Sequence, residues 1–404
     1  MRALWHGQIT GPLLGIFWTV IIATSVSVLM SFGTGDAFRP GLIGSVIVGG
    51  LVGWLSVTWR NGWGLCAIAL ALGAALEQLG IGPVQIGASV GILSGGVAHI
   101  LLGLGVGIPM VFFMANAPRD SLTRHEFEEA VIRFLTGFGY IFFVAIVLIP
   151  FYVMVMTSLK NQADLMANPL DFTIDLDQGT ALFRSYIELF RDFNFGAYLW
   201  TSFFVSVLTV VITLLFSIPG AYAVARLRFQ GQKAFSRSIL LIYMVPLIVL
   251  ALPIYIAFSQ VGLRNTIFGI ILIYPVTTIP VALYMLQGYF RGLPAEVEEA
   301  GLMDGLSRLA VIWKITLPLS LPALASVSLY VFMIAWNEFL LAFMLLDDPS
   351  KFTLTRGIAS LNSSEIPRQH LMAGSVIATV PIMALFLGLE RFMTGGLTAG
   401  SVKG

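Results

Sequence analysis

Glu296, Glu298 and Glu299 crowd the start of the stretch "PAEVEEAGLMDGLSRLAVIWKITLP" (294–318), in a chain that is otherwise 57% hydrophobic and only 11% charged. No Cys/His cluster and no catalytic constellation accompanies these carboxylates. They can accept hydrogen bonds and ion pairs, so the chemistry they offer is recognition. Pro294 suits a first helical position, where its missing N–H would be unpaired anyway. Acids in the first turns then complement the positive end of the helix dipole. Asp304-Gly305 supplies turn chemistry, while Ala300, Gly301 and Gly305 keep the profile thin enough to enter a groove on another protein. Beyond the turn, Leu306, Leu309, Ala310, Trp313 and Leu317 recur at helical spacing, with Arg308 and Lys314 off that stripe. The pattern predicts a second helix lying along a membrane surface, with Trp313 at headgroup level. Pro318 and Pro322 end it. An ordinary amphipathic connector accounts for the same pattern on physical grounds.

The elements that must carry this loop are membrane helices. The chain has 404 residues and a mean hydropathy of +0.91, and its apolar runs are long enough to cross about 30 Å of hydrocarbon as helices. Backbone groups in lipid must be satisfied internally, so an all-α polytopic bundle is predicted. About ten spans are expected: 12–32, 41–58, 62–79, 90–114, 134–158, 198–221, 237–258, 266–288, 321–345 and 371–393. The first is read as a retained span rather than a cleaved leader, since no small-residue cleavage pattern follows it. With the N-terminus inside, fourteen of the 22 Lys and Arg residues fall on the inner side, which predicts both termini in the cytoplasm. The basic run "ARLRFQGQKAFSR" (225–237) lies inside, and Asp164, Asp171, Asp175, Asp177, Glu188 and Asp192 lie in an outer segment, 159–197. That outer segment is either a docking surface or a solvated connector.

Two regions differ in kind. Residues 1–116 hold 22 of the 41 glycines but four of the 18 prolines. Pairs four apart (Gly11/Gly15, Gly49/Gly53, Gly87/Gly91/Gly95, Gly103/Gly107) would let helix backbones approach closely. The later spans instead carry Pro246, Pro253, Pro275, Pro280 and Pro381, which break the helical ladder and bend it. The polar segment 117–133 is the expected connector.

Much chemistry is excluded. No G-x-x-x-x-G-K-[ST] phosphate loop, H-E-x-x-H pair or Cys/His cluster occurs, so no cofactor or metal is expected and no catalytic constellation is found. The single Cys66 rules out an internal disulfide, and the near-neutral charge of +1 argues against nucleic acid. Glu338, beside Asn337, is a carboxylate within an apolar run: a functional-site candidate by default, or a structural hydrogen bond near the span's end. His99 is read as a packed histidine rather than a ligand.

The loop resembles the signature of importer permeases in the ATP-binding-cassette (ABC) class: Glu-Ala-Ala, three residues, Gly, nine residues, Ile-x-Leu-Pro. Here it reads Glu299-Ala300-Gly301, three residues, Gly305, nine residues, Ile315-Thr316-Leu317-Pro318, with glycine in place of the second alanine. The resemblance extends over about 132–404 and is nearest the carbohydrate, maltose-type branch. It includes "TSLK" (157–160), "PGAYAVARLRF" (219–229), "VGLRNTIFGIILIYP" (261–275), "AWNEFLLA" (335–342) and "GLTAGSVKG" (396–404). "YMLQGYFRGLPAEVEEAGLMDG" and "FTLTRGIASLNSSEIPRQHLMAG" look most like α-glucoside permeases.

The resemblance implies a permease subunit of an ATP-driven sugar importer in the bacterial inner membrane. Residues 134–404 would be the permease domain, its six spans forming the core, with a coupling loop at 291–320. Residues 1–116 would be an extension of unread role. Its partners would be a second permease subunit, two ATP-binding subunits that hydrolyse the nucleotide, and a periplasmic sugar-binding protein. Glu298, Glu299, Ala300, Gly301, Asp304, Gly305, Ile315, Leu317 and Pro318 would contact or shape the contact to the ATPase, with Glu299 the polar contact. The tail Ala399, Gly400, Ser401, Val402 and Lys403 would reach the ATPase interface or simply fray. Thr353, Thr355, Arg356, Ser360, Asn362 and Ser363, in the outer segment 346–369, would meet the binding protein. Tyr274, Tyr284, Gln287, Asn337 and Glu338 are expected to line the sugar pathway, because sugars are held by aromatic faces and hydroxyl-matching polar groups; the alternative the resemblance implies is that the partner permease holds the sugar. An α-glucoside or other oligosaccharide is expected; a polyol permease or an ion-coupled secondary transporter are the alternatives.

Overall fold

Apolar runs without charged residues fold here as helices, whose backbone groups are all paired internally. The computed structural model describes residues 6–87, 90–168, 173–363 and 365–397. Asp171 and the tail residues Ala399, Gly400, Ser401, Val402 and Lys403 lie outside them. The chain divides into two units, Met1–Gly179 and Thr180–Gly404.

The first unit begins with two helix hairpins of one build. In the first, α1 (Gly7–Thr34) ends at the left-handed Gly35 (φ 74°), and strand β1 (Phe38–Pro40) leads into α2 (Leu42–Ser56). In the second, α3 (Gly62–Gln78) is followed by the left-handed Gly80 (φ 73°), strand β2 (Val84–Ile86) and α4 (Ile92–Phe113). The strands pair antiparallel, Phe38 opposite Ile86 and Pro40 opposite Val84.

Within each hairpin the helices meet backbone to backbone. A Cβ at Gly11 or Gly15 would overlap the carbonyl oxygen of Gly53 or Gly49, and one at Gly107 would overlap Cys66. These glycines do what their spacing predicts. Gly91 does not: nothing lies within 4 Å of the space its side chain would fill. Across the hairpins, the Trp18 indole donates to the carbonyl oxygen of Gly105 (2.8 Å) and meets Phe113 edge-on.

Helix α5 (Arg124–Ser158) starts inside the expected connector, because Thr123 and Glu126 form a reciprocal capping box. It lies on α1, where Tyr152 donates to the carbonyl oxygen of Phe32 (2.9 Å). The short α6 (Gln162–Ala167) follows.

In the second unit α7 (Arg184–Asp192) precedes α8 (Phe195–Arg226), α9 (Gln232–Tyr243), α10 (Leu247–Gln260) and α11 (Ile267–Gly292). Helices α8 and α11 meet at small hydroxyl residues, Thr213 on Thr278 and Ser217 on the carbonyl oxygen of Ile279 (3.4 Å). Ser202, Ser206, Thr209, Thr213 and Ser217 are all buried on α8, and Thr213 hydrogen-bonds Thr278 at 2.6 Å. Then come α12 (Ala295–Met303), α13 (Arg308–Val311), a π turn (Ile312–Thr316), α14 (Leu317–Leu319), α15 (Leu321–Asn337), α16 (Leu340–Leu345), α17 (Leu354–Ser360) and α18 (Arg368–Leu397). Trp336 ties α15 to α18 through the carbonyl oxygen of Ala378 (3.1 Å).

The helical class is as expected, but the spans are less uniform than the apolar runs implied. Among the described residues six helices are long and apolar enough to cross a membrane: α1, α4, α5, α8, α11 and α18. A seventh span would be the pair Arg308–Leu319 and Leu321–Asn337, bent by 81°. Of the other expected spans, α2 has 15 residues and α3 17. At about 1.5 Å per residue, both fall short of a hydrocarbon core of about 30 Å. The expected span 237–258 breaks at Pro246, which caps α10 instead of bending a continuous helix. The expected span 321–345 breaks at Glu338.

Candidate coupling site

Helix α12 is short because both of its ends are specified. Pro294 stands at its N-cap, one residue outside the expected start. At the other end Gly305 adopts φ 85°, the Gly305 N–H donates to the carbonyl oxygen of Leu302 (3.1 Å), and the Leu306 N–H donates to that of Gly301 (3.1 Å). These two bonds form a Schellman closure, which needs a left-handed residue where glycine stands. Ser307 then caps the next helix by accepting from the Ala310 N–H (3.3 Å).

The carboxylates of this helix divide by direction. Glu299 is exposed, as are Ala300, Asp304 and Gly305. Glu298 is buried, and with Gly301 it makes up the whole buried side of α12. Its carboxylate accepts from the Tyr222 hydroxyl (3.2 Å) and the Thr316 hydroxyl (3.1 Å) and lies 3.5 Å from Arg226. Arg226 also donates to the carbonyl oxygen of Leu293 (2.6 Å). Sequence reading placed Glu298 among the groups offered to a partner; in this structure it is spent inside the chain.

The segment after the turn is helical as expected, but a π turn interrupts it. Its buried residues are Val311, Ile312 and Thr316, with Ile315 and Leu317 half-buried and Pro318 exposed. Leu309 and Trp313 of the expected stripe are each 71% exposed. Leu309 and Trp313, four residues apart, thus share an outward side, the side that the sequence assigns to a membrane surface.

The segment 346–369 folds back on its own unit. Thr353 is buried, and next to it the Leu354 N–H donates to the Ser202 hydroxyl (2.6 Å). Thr355 donates to the carbonyl oxygen of Glu338 (2.6 Å), and Ser360 to that of Gly357 (2.6 Å). The Arg356 guanidinium sits between the rings of Phe343 and Phe352, 4.5 Å from each centroid. Of the expected binding-protein contacts, Asn362 and Ser363 are the exposed ones. Glu188, which accepts from Arg184 (2.7 Å) and pairs with His370 (2.8 Å), ties α7 to the start of α18. These bonds hold its carboxyl below the usual range, Arg184 first and His370 second. Sequence reading missed this pair because its members are far apart in the chain.

Of the expected pathway residues Tyr274 lies by Glu338, next to Asn337, while Tyr284 and Gln287 lie further along α11. Glu338 accepts from the backbone N–H groups of Leu341 (2.8 Å) and Ala342 (3.1 Å), so it caps α16. Asn337 donates to the carbonyl oxygen of Met333 (2.8 Å) in its own helix. Gln287 is buried and bonds Ser236 (3.0 Å), whereas Tyr284 is 54% exposed. Tyr274 is buried in the field of the Glu338 carboxylate. His99 is packed, its Nδ1 bonded to the carbonyl oxygen of Gly95 (2.8 Å). No group of three His, Cys, Asp or Glu able to hold a metal occurs among the described residues.

Residues 217–394, which include the loop and its partners Tyr222 and Arg226, match the family model described as the binding-protein-dependent transport system inner membrane component. The chain is similar to an inner membrane ABC transporter permease protein of Escherichia coli, 38% identical over 269 residues, covering 66% of this chain and 95% of that protein. A trehalose/maltose transport system permease protein of Thermococcus litoralis is 34% identical over 281 residues (69% of this chain, 99% of the relative). An arabinooligosaccharides transport system permease protein of Halalkalibacterium halodurans is 33% identical over 283 residues (68% and 98%). The same fold is seen in the crystal structure of a bacterial ABC transporter involved in the import of the acidic polysaccharide alginate. There the TM-score is 0.57 at 24% identity, over 67% of this chain and 98% of that one. The chain therefore belongs to the binding-protein-dependent inner-membrane component family, as a multi-pass permease subunit of a sugar ABC importer.

Proposed function

We propose that this subunit forms half of an oligosaccharide pathway and is driven by a separate ATPase through the loop 294–318. The substrate is an α-glucoside or related oligosaccharide, as the trehalose/maltose relative favours. A second permease subunit completes the pathway, two ATP-binding subunits drive it, and a soluble binding protein delivers the sugar. Both termini lie in the cytoplasm, in keeping with the distribution of Lys and Arg. Residues 134–404 act as the permease domain, joined by the connector 117–133 to residues 1–116.

The observation that carries this reading is the division of labour in α12. Its inward side is fixed to its own chain, while Glu299 and Ala300 stand free beside the left-handed turn at Gly305. A short rigid helix with an uncommitted carboxylate is what a partner's groove can grip. The test is Glu299→Lys, assayed for co-purification of the ATPase and for ATP-driven uptake of labelled maltose or trehalose. Loss of either is expected; full assembly and uptake would count against the proposal.

A further inference from the structure

We infer that Glu298 is a positioning residue for coupling, the polar tie through which movement of α12 reaches α8 and α11; the inference rests on the coupling reading above. Two other pieces of chain meet at its carboxylate, and a third is reached through Arg226. Tyr222 and Arg226 come from the last turns of α8, Thr316 comes from the π turn, and Arg226 also holds Leu293, at the exit of α11. A buried carboxylate is costly unless paired and hydrogen-bonded, and this one is supplied with two hydroxyl donors and a guanidinium.

The rest of the attachment is slight. Glu298 and Gly301 are the buried residues of α12, and glycine brings no side chain to the contact. A surface helix is normally held by an apolar stripe; on α12 the half-buried Leu302 stands without one, Val297 being 43% and Met303 87% exposed. The tie is therefore polar, directional and local. Force applied to the exposed side of α12 passes through the bonds of Glu298 to Tyr222 and Thr316 and its pair with Arg226 to the end of α8 and, through Leu293, to α11. Without these bonds, α12 can move on its flanking residues while the two long helices stay where they are.

The test is the amount of sugar imported per ATP hydrolysed, in proteoliposomes containing the complete transporter with its binding protein. Glu298→Ala is expected to lower this ratio about tenfold, in the range typical of a lost coupling interaction. Glu298→Gln, whose amide oxygen can accept from Thr316 beside Arg226 while its NH2 donates to the Tyr222 hydroxyl oxygen, should recover most of it. Because Glu298→Ala leaves Arg226 without its carboxylate and can disturb assembly, the near-isosteric pair Tyr222→Phe and Thr316→Val is measured as well. Each removes one bond to Glu298 and leaves the packing in place, and together they should lower the ratio several-fold. A wild-type ratio in that double variant, or in Glu298→Ala, overturns the inference while leaving the coupling reading intact. Import by the wild-type chain without any ATPase would overturn both.

Discussion

Gly301 lies against the tip of Ile315, and a Cβ placed on it would come within 2.5 Å of Ile315 Cδ1. The atom in the way is the far end of a side chain, so it can turn aside at about 0.5–1.5 kcal/mol for an off-rotamer position. Alanine gains about 1 kcal/mol over glycine in helix propensity. Gly301→Ala, which restores the alanine of the importer signature, is therefore expected to be near neutral in thermal stability and in uptake. Gly301→Val, with a second branch and no room for it, should lower both, as measured by unfolding in detergent and labelled-sugar import.

Gly305 behaves differently, since nothing lies within 4 Å of its missing side chain and φ is 85°. Its cost on substitution is conformational, about 1–2 kcal/mol for an L-residue held left-handed. Gly305→Ala should loosen the end of α12 and reduce uptake. Gly305→Asn should be milder, because asparagine tolerates that region. Equal effects for the two would show that space, not backbone, is what the site needs.

Glu338 caps α16 through the N–H groups of Leu341 and Ala342. Glu338→Gln keeps an acceptor and should preserve transport. Glu338→Ala should cost about 1 kcal/mol, as for a lost helix cap. An ion-coupled carrier working through this carboxylate would instead be silenced by glutamine, so uptake by Glu338→Gln separates the two.

Glu188 is held below the ordinary carboxylate range by Arg184 and His370. A lowered carboxylate stabilises the folded state above its unfolded pKa of about 4.3 and loses that contribution as pH falls through the lower folded value. Thermal stability of the detergent-solubilised chain should accordingly drop on acidification below about pH 4.3. In Glu188→Gln the drop should be shallower, from a lower starting stability at neutral pH. An unchanged acid limb in the variant would remove Glu188 from the account.

What was legible in the chain was local. Pro294 and Gly305 marked the ends of α12, the four-residue glycine spacing of Gly11/Gly15 and Gly49/Gly53 marked a close helix pair, and long apolar runs marked α5, α8, α11 and α18. What escaped depends on distant partners. Nothing near Glu298 announces that it turns inward, because Tyr222 and Arg226 lie over seventy residues away. The break at Glu338 contains neither proline nor glycine; a side chain capping the next helix makes it. Glu338 and Asn337 were read as pathway groups from their polarity alone, which a cap and an intrahelical bond satisfy equally well.

Wound as a π turn, Ile312–Thr316 stores one residue more than an α turn would. Rewinding the same five residues into α geometry would twist the chain beyond them by about 100° and push it out by about 1.5 Å. Thr316 would then swing off Glu298, and α15 would be driven like a crankshaft by a change in pitch alone.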